Sequence, residues 1–173
     1  MRTRVILFII LLLALGACEE VTNTGANISD QSVTAEVVRV TDGDTIRVDF
    51  HGAEYNVRYI GINTPEISHS ADQTDDPCGQ DATEANRQLV EGQTVRLERD
   101  SSDTDQYGRL LRYIYVGDTF VNEVLVREGW AEAVRYAPDT REFENFRALE
   151  QEAEIAGRGC HLTGIFDDGN DER

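Results

Sequence analysis

The 173-residue sequence contains no lysine, and all 16 of its basic residues are arginine. Acidic residues outnumber them, 33 to 16, for a formal net charge of −17. A chain this acidic repels nucleic acid at long range, which excludes a protein that binds nucleic acid through a broad basic surface. Arginine can contact two phosphate oxygens at once through its planar guanidinium. Any phosphate binding must therefore depend on individual arginines at a local site.

Long hydrophobic runs are also scarce, and the longest spans residues 5–15 after Arg2 and Arg4. It is too short to span a bilayer comfortably, and a positive start followed by an apolar run is typical of a signal peptide. The run ends in LGAC, which resembles a bacterial-type lipobox, so Cys18 is predicted to carry lipid. An ordinary cleaved signal and an uncleaved anchor are the alternatives. All three place the remaining chain outside the cytoplasm, either anchored to the membrane or secreted.

Cysteine is limited to three positions, and Cys18 belongs to the signal. The remaining pair is Cys78 and Cys160, and an even pair in an exported domain favours a disulfide. A metal pair completed by His161 is the alternative, but these residues lack the repeated spacing of zinc sites. The sequence therefore predicts a disulfide that closes a long loop.

Composition divides the chain into four parts. Residues 1–18 are the predicted signal peptide with its lipobox, and residues 19–32 are polar without an apolar period, which predicts a flexible tether. Residues 33–162 carry regular hydrophobic patterns and are predicted to form the folded domain. Residues 163–173 form an acidic tail that is predicted to be disordered.

The folded domain is predicted to be a small barrel with helices packed on it. Alternating hydrophobicity and glycine stop signals predict strands at 34–40, 45–50, 54–62, 94–98 and 110–116, and helices at 81–90, 121–128 and 142–156. A five-stranded barrel with a helix between the third and fourth strands is the layout of the OB-fold. The predicted fold class is therefore α+β, a five-stranded OB-fold barrel with three helices.

Polar residues that could take part in catalysis or ligand binding are concentrated between residues 42 and 66. Asp44, Asn63 and Glu66 can offer oxygen to a hard cation, and Arg58 can offer a fork-shaped cation to a phosphate. Oxygen ligands beside an arginine favour phosphodiester chemistry over redox or acyl-transfer chemistry.

Three motifs in order resemble the staphylococcal nuclease (thermonuclease) family. They are DGDTIRV followed by Arg58 and IGINTPE, then TDQYGRLLRYIYV, and then VNEVLVREGWA. The resemblance covers about residues 37–159. It implies an OB barrel with three helices, a Ca²⁺ cofactor, and cleavage of DNA and RNA that leaves 3′-phosphate ends.

The resemblance also implies roles for individual residues. The aspartate that binds calcium corresponds to Asp44, the second acidic ligand to Asn63 and the backbone carbonyl ligand to Thr64. Glu66 corresponds to the residue that activates or positions water. The two arginines that clamp the phosphate correspond to Arg58 and Arg109.

Two aromatic residues are predicted to contact substrate. Tyr107 matches the tyrosine of the second motif, where it can hydrogen-bond a phosphate, although Gln106 replaces the usual lysine or arginine beside it. Tyr136 corresponds to one of two aromatic residues that stack on a base, in a segment one residue shorter than the family's. A surface tyrosine near a proline turn is the alternative for Tyr136.

Asn63 is the main departure from the family pattern. It keeps a carbonyl oxygen but removes one negative charge, and calcium affinity falls with fewer charged ligands. The sequence therefore predicts weaker Ca²⁺ binding than a site with aspartate at this position.

The sequence leaves three functions to compare. The first is an exported calcium-dependent nuclease acting as a monomer on DNA or RNA, tethered to the membrane through Cys18. The second is an OB barrel that binds nucleic acid or protein without turnover. The third is a purely structural surface lipoprotein. Retention of Arg58, Glu66 and Arg109 favours the enzyme.

Overall fold

A computed structural model of the protein describes residues 26–68 and 74–166. The predicted signal peptide, Cys18 and the first part of the predicted tether lie outside these residues, as does most of the predicted tail. No helix in the two described ranges is long and apolar enough to cross a membrane.

The described part of the chain folds as a barrel of five long strands with three α-helices. The elements in chain order are β1 (Ser32–Val40), β2 (Thr45–Phe50), β3 (Ala53–Tyr59), β4 (Ile62–Asn63), α1 (Gly79–Val90), β5 (Thr94–Glu98), β6 (Leu110–Val116), β7 (Thr119–Phe120), α2 (Val121–Arg127), β8 (Glu132–Ala133) and α3 (Phe143–Ile155). Antiparallel pairing follows the order β3-β2-β1-β5-β6, and β3 closes the barrel by pairing in parallel with β6. The predicted five-stranded barrel with three helices is confirmed.

Strand alternation places the hydrophobic core inside this barrel. In β1, Val33, Ala35 and Val37 are buried while the residues between them are exposed. Ile46 and Val48 of β2 are also fully buried. Burying one such aliphatic side chain contributes about 1.5–3 kcal/mol to stability, so the inward faces give the barrel its main driving force.

The third strand is shorter than the predicted span of 54–62. It ends at Tyr59 because Gly61 has a φ of +76°, which turns the chain out of the sheet. A Cβ atom at Gly61 would lie 3.1 Å from the Phe146 ring of α3, so the helix packs closely at this turn. Beyond the turn, β4 leaves the barrel and pairs antiparallel with β8, which puts Asn63 opposite Glu132.

The folded domain extends N-terminally of residue 33. Ile28 is buried in the core, and the fully buried Arg112 donates hydrogen bonds to its carbonyl oxygen at 2.9 Å and to Asp103 at 2.6 Å. Ser29 also donates a hydrogen bond to Asp103. Residues 26–32, which the sequence assigns to a flexible tether, therefore pack against the barrel.

A disulfide joins Cys78, just before α1, to Cys160, in a short 3₁₀ helix (Gly159–Thr163) after α3. The Cα atoms of the two residues are 5.6 Å apart, and the bond closes a loop of 82 residues. It connects the start of α1 to the C-terminal end of the described fold.

Removing this crosslink is expected to destabilise the domain. A loop of this length restricts the unfolded chain by about 4 kcal/mol on the chain-entropy model. The double variant Cys78→Ala/Cys160→Ala should lose roughly that free energy of unfolding, measured by urea denaturation without reductant. Adding reductant should weaken the wild type and leave the double variant unchanged. Equal stability of the two proteins would contradict the expectation.

Candidate active site

A cleft of about 380 Å³ opens where β3, the loop after β4 and the loop before β6 meet. Predicted site residues on its walls are Arg58, Asn63, Glu66, Tyr107, Arg109 and Tyr136. Asp44 is buried behind this wall and contacts Arg58 directly. The structure therefore brings together residues from the first and second sequence motifs and from the segment after β8.

Arg58 is fixed in place by four oxygen acceptors. Its Nη1 lies 3.0 Å from a carboxylate oxygen of Asp44 and donates to the carbonyl oxygens of Tyr59 and Ile62 at 3.0 and 2.9 Å. Its Nη2 donates to Oδ1 of Asn63 at 3.2 Å. Only 15% of the side chain remains exposed. The guanidinium is thus preorganised at the inner wall of the cleft.

Asp44 is held by the turn that precedes β2. Its backbone N–H donates to Oδ1 of Asp42 at 3.1 Å, so Asp42 shapes this turn. The Asp44 carboxylate accepts hydrogen bonds from the Thr64 backbone N–H at 2.9 Å and from the Thr45 hydroxyl at 3.1 Å. Asp44 and Thr64 are therefore neighbours, although they are 20 residues apart in sequence.

Acidic side chains lie close together at this end of the barrel. Burial raises the pKa of Asp42 to about 7, and the nearby charges of Asp44 and Glu66 act in the same direction, with partial offset by Arg58. Burial also raises the pKa of Glu66, with a further contribution from Asp44. Arg58 and Arg109 oppose that rise in the pKa of Glu66, so both arginines act electrostatically on the same carboxyl.

The backbone of Glu66 is supported by the residues that precede α1. Its N–H donates to the Asp76 carboxylate at 3.1 Å, and its carbonyl oxygen accepts from the Asp76 N–H at 2.9 Å. A Cβ atom at Gly79 would lie 2.5 Å from that carbonyl oxygen. Glycine is therefore required at the first residue of α1 for the chain to approach Glu66 this closely.

Arg109 is oriented by Asp105, which organises the loop before β6. One Asp105 oxygen accepts from Nε of Arg109 at 2.7 Å, and the other accepts from the backbone N–H groups of Tyr107 and Arg109, both at 2.9 Å. The guanidinium carbon lies 5.5 Å from the centre of the Tyr107 ring. Because Asp105 accepts its hydrogen bond from Nε, the two Nη groups of Arg109 can donate to an anion in the cleft.

The two tyrosines lie at the rim in different settings. Tyr107 is 75% exposed, which suits a side chain that contacts a ligand from solution. Tyr136 is half-buried in a turn closed by a hydrogen bond from the Asp139 N–H to its carbonyl oxygen. The Asp139 carboxylate accepts from the backbone N–H groups of Ser101 and Ser102 at 2.8 and 2.7 Å. Asp139 thereby ties the Tyr136 turn to the neighbouring loop.

The candidate calcium ligands are all oxygen donors, which suits a hard cation. Arg58 contacts both the Asp44 carboxylate and the Asn63 amide oxygen, and Thr64 adjoins Asp44, so the three candidates are neighbours. In residues 26–68 and 74–166, no group of three or more His, Cys, Asp or Glu side chains is arranged to hold a metal. The ligand set predicted from the sequence therefore combines one carboxylate, Asp44, with the neutral oxygens of Asn63 and Thr64.

Sequence reasoning missed the residues that support the site. Asp76, Gly79, Glu132 and Asp139 contact or constrain predicted site residues, yet none was singled out. Only Glu132 left a signal, because it is a charged residue within the apolar segment WAEAV. The other three depend on contacts between segments that are distant in sequence.

The barrel and its cleft define a domain of the OB-fold type with an arginine-lined site beside buried carboxylates. The chain belongs to the staphylococcal nuclease family, because the family model described as "Staphylococcal nuclease homologue" matches residues 56–160.

Characterised relatives agree with this assignment. The chain is 37% identical over 129 residues to a thermonuclease of Staphylococcus hyicus, covering 75% of each protein. It is 42% identical over 123 residues to endonuclease YncB of Bacillus subtilis, covering 70% of this chain and 58% of YncB. A prophage-derived endonuclease of the same organism, YokF, is 43% identical over 117 residues, covering 66% and 39%.

The chain thus spans less than two thirds of the length of the two Bacillus endonucleases. All three named relatives are nucleases, which hydrolyse phosphodiester bonds. This homology confirms the predicted enzyme class.

The close approach at Gly79 predicts an effect on Glu66. In Gly79→Ala the new methyl group must push the Glu66 backbone away, and misplacement of a reacting group by about 1 Å can cost 100-fold in rate. We expect nuclease turnover to fall by about 10- to 100-fold, measured on single-stranded DNA. Gln88→Ala, an exposed change in the same helix, is the control and should leave turnover unchanged. Full turnover in Gly79→Ala would contradict the role of this contact.

Proposed function

We propose that the protein is an exported, calcium-dependent nuclease that hydrolyses phosphodiester bonds of DNA and RNA. The observation that carries the proposal is the position of Arg58, Glu66 and Arg109 on the walls of one cleft. Arg58 and Arg109 also both oppose the rise in the pKa of the Glu66 carboxyl, which supports a shared site for the three groups.

The two arginines would bind the phosphodiester and neutralise its charge. A phosphodiester anion repels an attacking hydroxide, and the transition state carries still more negative charge on its oxygens. Fixed guanidiniums aimed at those oxygens stabilise that charge without having to reorganise. Arg58, held by four acceptors, supplies a rigid contact from inside. Arg109, oriented by Asp105, supplies the second contact from the opposite loop.

Glu66 would act as the general base. Its carboxylate can take a proton from water and direct the oxygen in line at phosphorus. The bond from phosphorus to the 5′ oxygen then breaks, and the leaving 5′ oxygen takes a proton from solvent. Partial burial raises the pKa of Glu66, which makes its carboxylate a stronger base than an exposed one. The contacts from Asp76 to its backbone keep the side chain at the cleft wall.

Asp44, Asn63 and the carbonyl oxygen of Thr64 would hold the calcium ion. When bound there, calcium supplies positive charge that stabilises the phosphoryl oxygens in the transition state. Since Asp44 is the sole charged member of this set, the calcium affinity of the site should be low. The site should then fill at the calcium concentrations typical of the extracellular medium.

Tyr107 and Tyr136 would contact the substrate around the phosphate. Tyr107 presents an exposed ring and hydroxyl beside Arg109, where it can hydrogen-bond a phosphate. Tyr136 lines the same cleft and can stack on a base. Phosphate binding and ring stacking both tolerate different bases, so neither contact depends on the identity of the base.

Export rests on the signal sequence and the disulfide. Disulfides persist mainly in oxidising compartments, so the Cys78–Cys160 bond supports a location outside the cytoplasm. Cys18, in the lipobox, would attach the mature protein to the membrane as a monomer.

Calcium-dependent cleavage is the direct test. The purified protein should cleave single-stranded DNA and RNA with Ca²⁺ and lose this activity in chelator, as followed on denaturing gels. Glu66→Gln should lower turnover by about 10²- to 10⁴-fold, the usual contribution of general base catalysis, while DNA binding persists. Glu154→Gln makes the same change at an exposed site on α3 and should have no effect.

The main alternative is an OB barrel that binds nucleic acid or protein without turnover. Binding of DNA without calcium-dependent cleavage, across a range of salt concentrations, would favour it. Equal turnover of Glu66→Gln and wild type would remove Glu66 from the mechanism.

Lipid attachment has its own test. Cys18→Ala removes the thiol that would receive lipid, so the protein should move from the membrane fraction to the medium or remain as an uncleaved precursor. Immunoblots of the fractions measure this change, and Cys18→Ala should retain nuclease activity because residue 18 lies outside the domain. Mature Cys18→Ala in the membrane fraction would contradict lipid anchoring.

A further inference from the structure

Glu132 is a buried carboxyl that contacts Asn63, one of the candidate metal ligands. It lies in β8 with only 6% of its surface exposed. Nδ2 of Asn63 donates a hydrogen bond to its Oε1 at 2.8 Å, and the two residues face each other across the β4–β8 pair.

Asn63 is contacted on its other side by Arg58. Nη2 of Arg58 donates to Oδ1 of Asn63 at 3.2 Å, while Nη1 lies 3.0 Å from the Asp44 carboxylate. The four side chains therefore form a continuous series from Glu132 through Asn63 and Arg58 to Asp44.

The hydrogen-bonding chemistry of this series determines which residue fits at position 63. A guanidinium only donates hydrogen bonds, and an ionised carboxylate only accepts them. The residue between Arg58 and Glu132 must therefore accept on one side and donate on the other, which the asparagine amide does. An aspartate would satisfy Arg58 but would place a second carboxylate about 2.8 Å from Glu132.

We propose that Glu132 is a positioning residue that directs the Asn63 carbonyl oxygen toward Arg58 and the calcium site. Asparagine at position 63 then has a role of its own, because its amide donates a hydrogen bond to Glu132. It does more than replace a charged calcium ligand by a neutral one. The effect on calcium affinity rests on the proposed function, whereas the effect on the apo protein does not.

This assignment changes the expectation for Asn63→Asp. From sequence alone, restoring the charge should strengthen Ca²⁺ binding. With Glu132 in contact, the new side chain has no N–H group to donate to Oε1 of Glu132 and is turned away from it, so the gain should appear only when Glu132 is also changed.

A double-mutant cycle tests the proposal on the full-length protein. Thermal unfolding in chelator and Ca²⁺ binding by calorimetry are compared for wild type, Asn63→Asp, Glu132→Gln and the double variant. Asn56→Asp is the matched control, because Asn56 is an exposed asparagine whose Oδ1 also accepts a hydrogen bond from an arginine, Arg47.

Asn63→Asp should lower the Tm by about 2–4 °C and give no tighter Ca²⁺ binding than wild type. Glu132→Gln should lose less Tm than Asn63→Asp, since glutamine can still accept from Asn63. The double variant should regain most of the lost Tm and bind Ca²⁺ about tenfold more tightly than wild type, a coupling in the range measured for contacting pairs. Asn56→Asp should change neither quantity.

Tighter Ca²⁺ binding by Asn63→Asp alone with an unchanged Tm, or additive effects in the double variant, would overturn the proposal. If no variant binds Ca²⁺, the calcium part of the proposed function fails, while the Tm values in chelator still decide the role of Glu132. Should Glu132→Gln not fold, Glu132→Ala takes its place in the cycle.

Discussion

The ion pair between Arg58 and Asp44 is the contact on which the site depends. Residue 58 pairs with Thr45 across β2 and β3, so the sheet register itself brings the guanidinium beside Asp44. That guanidinium offsets part of the repulsion among buried carboxyls and holds Asn63. Removing one partner of a buried pair leaves an uncompensated charge that costs about 3–5 kcal/mol. Fold and site are therefore stabilised by the same residue.

Much of this architecture could be predicted because local sequence patterns determine it. Alternation in residues such as Val33, Ala35 and Val37 predicted the strands, and the motifs around Asp44 and Arg109 predicted which residues meet. The end of β3 was missed because Gly61, which turns the chain out of the sheet, lies within a hydrophobic run and looks like one more residue of the strand. The packed segment around Ile28 was missed because its partner, Arg112, lies far along the chain.

The supporting residues of the site were harder to predict for a related reason. Asp76 and Asp139 accept hydrogen bonds from backbone N–H groups of other segments, and Gly79 packs against a backbone carbonyl oxygen. Backbone groups are the same in every residue, so the sequence does not mark these partners. The departure at Asn63 was visible, but its contact with Glu132 was not, because β8 pairs with β4 only after the chain has folded. A substitution can be interpreted from sequence only when its neighbour is also known.

The parallel pairing of β3 with β6 has a consequence for when the protein becomes chemically competent. Arg58 belongs to β3 and Arg109 directly precedes β6, so they share a cleft only when this pairing of the barrel has formed. Long-range pairing of this kind is slow compared with the formation of hairpins and helices. An incompletely folded chain holds every reactive group yet has no assembled cleft. The activity proposed above therefore requires a completed barrel and not merely the presence of its reactive side chains.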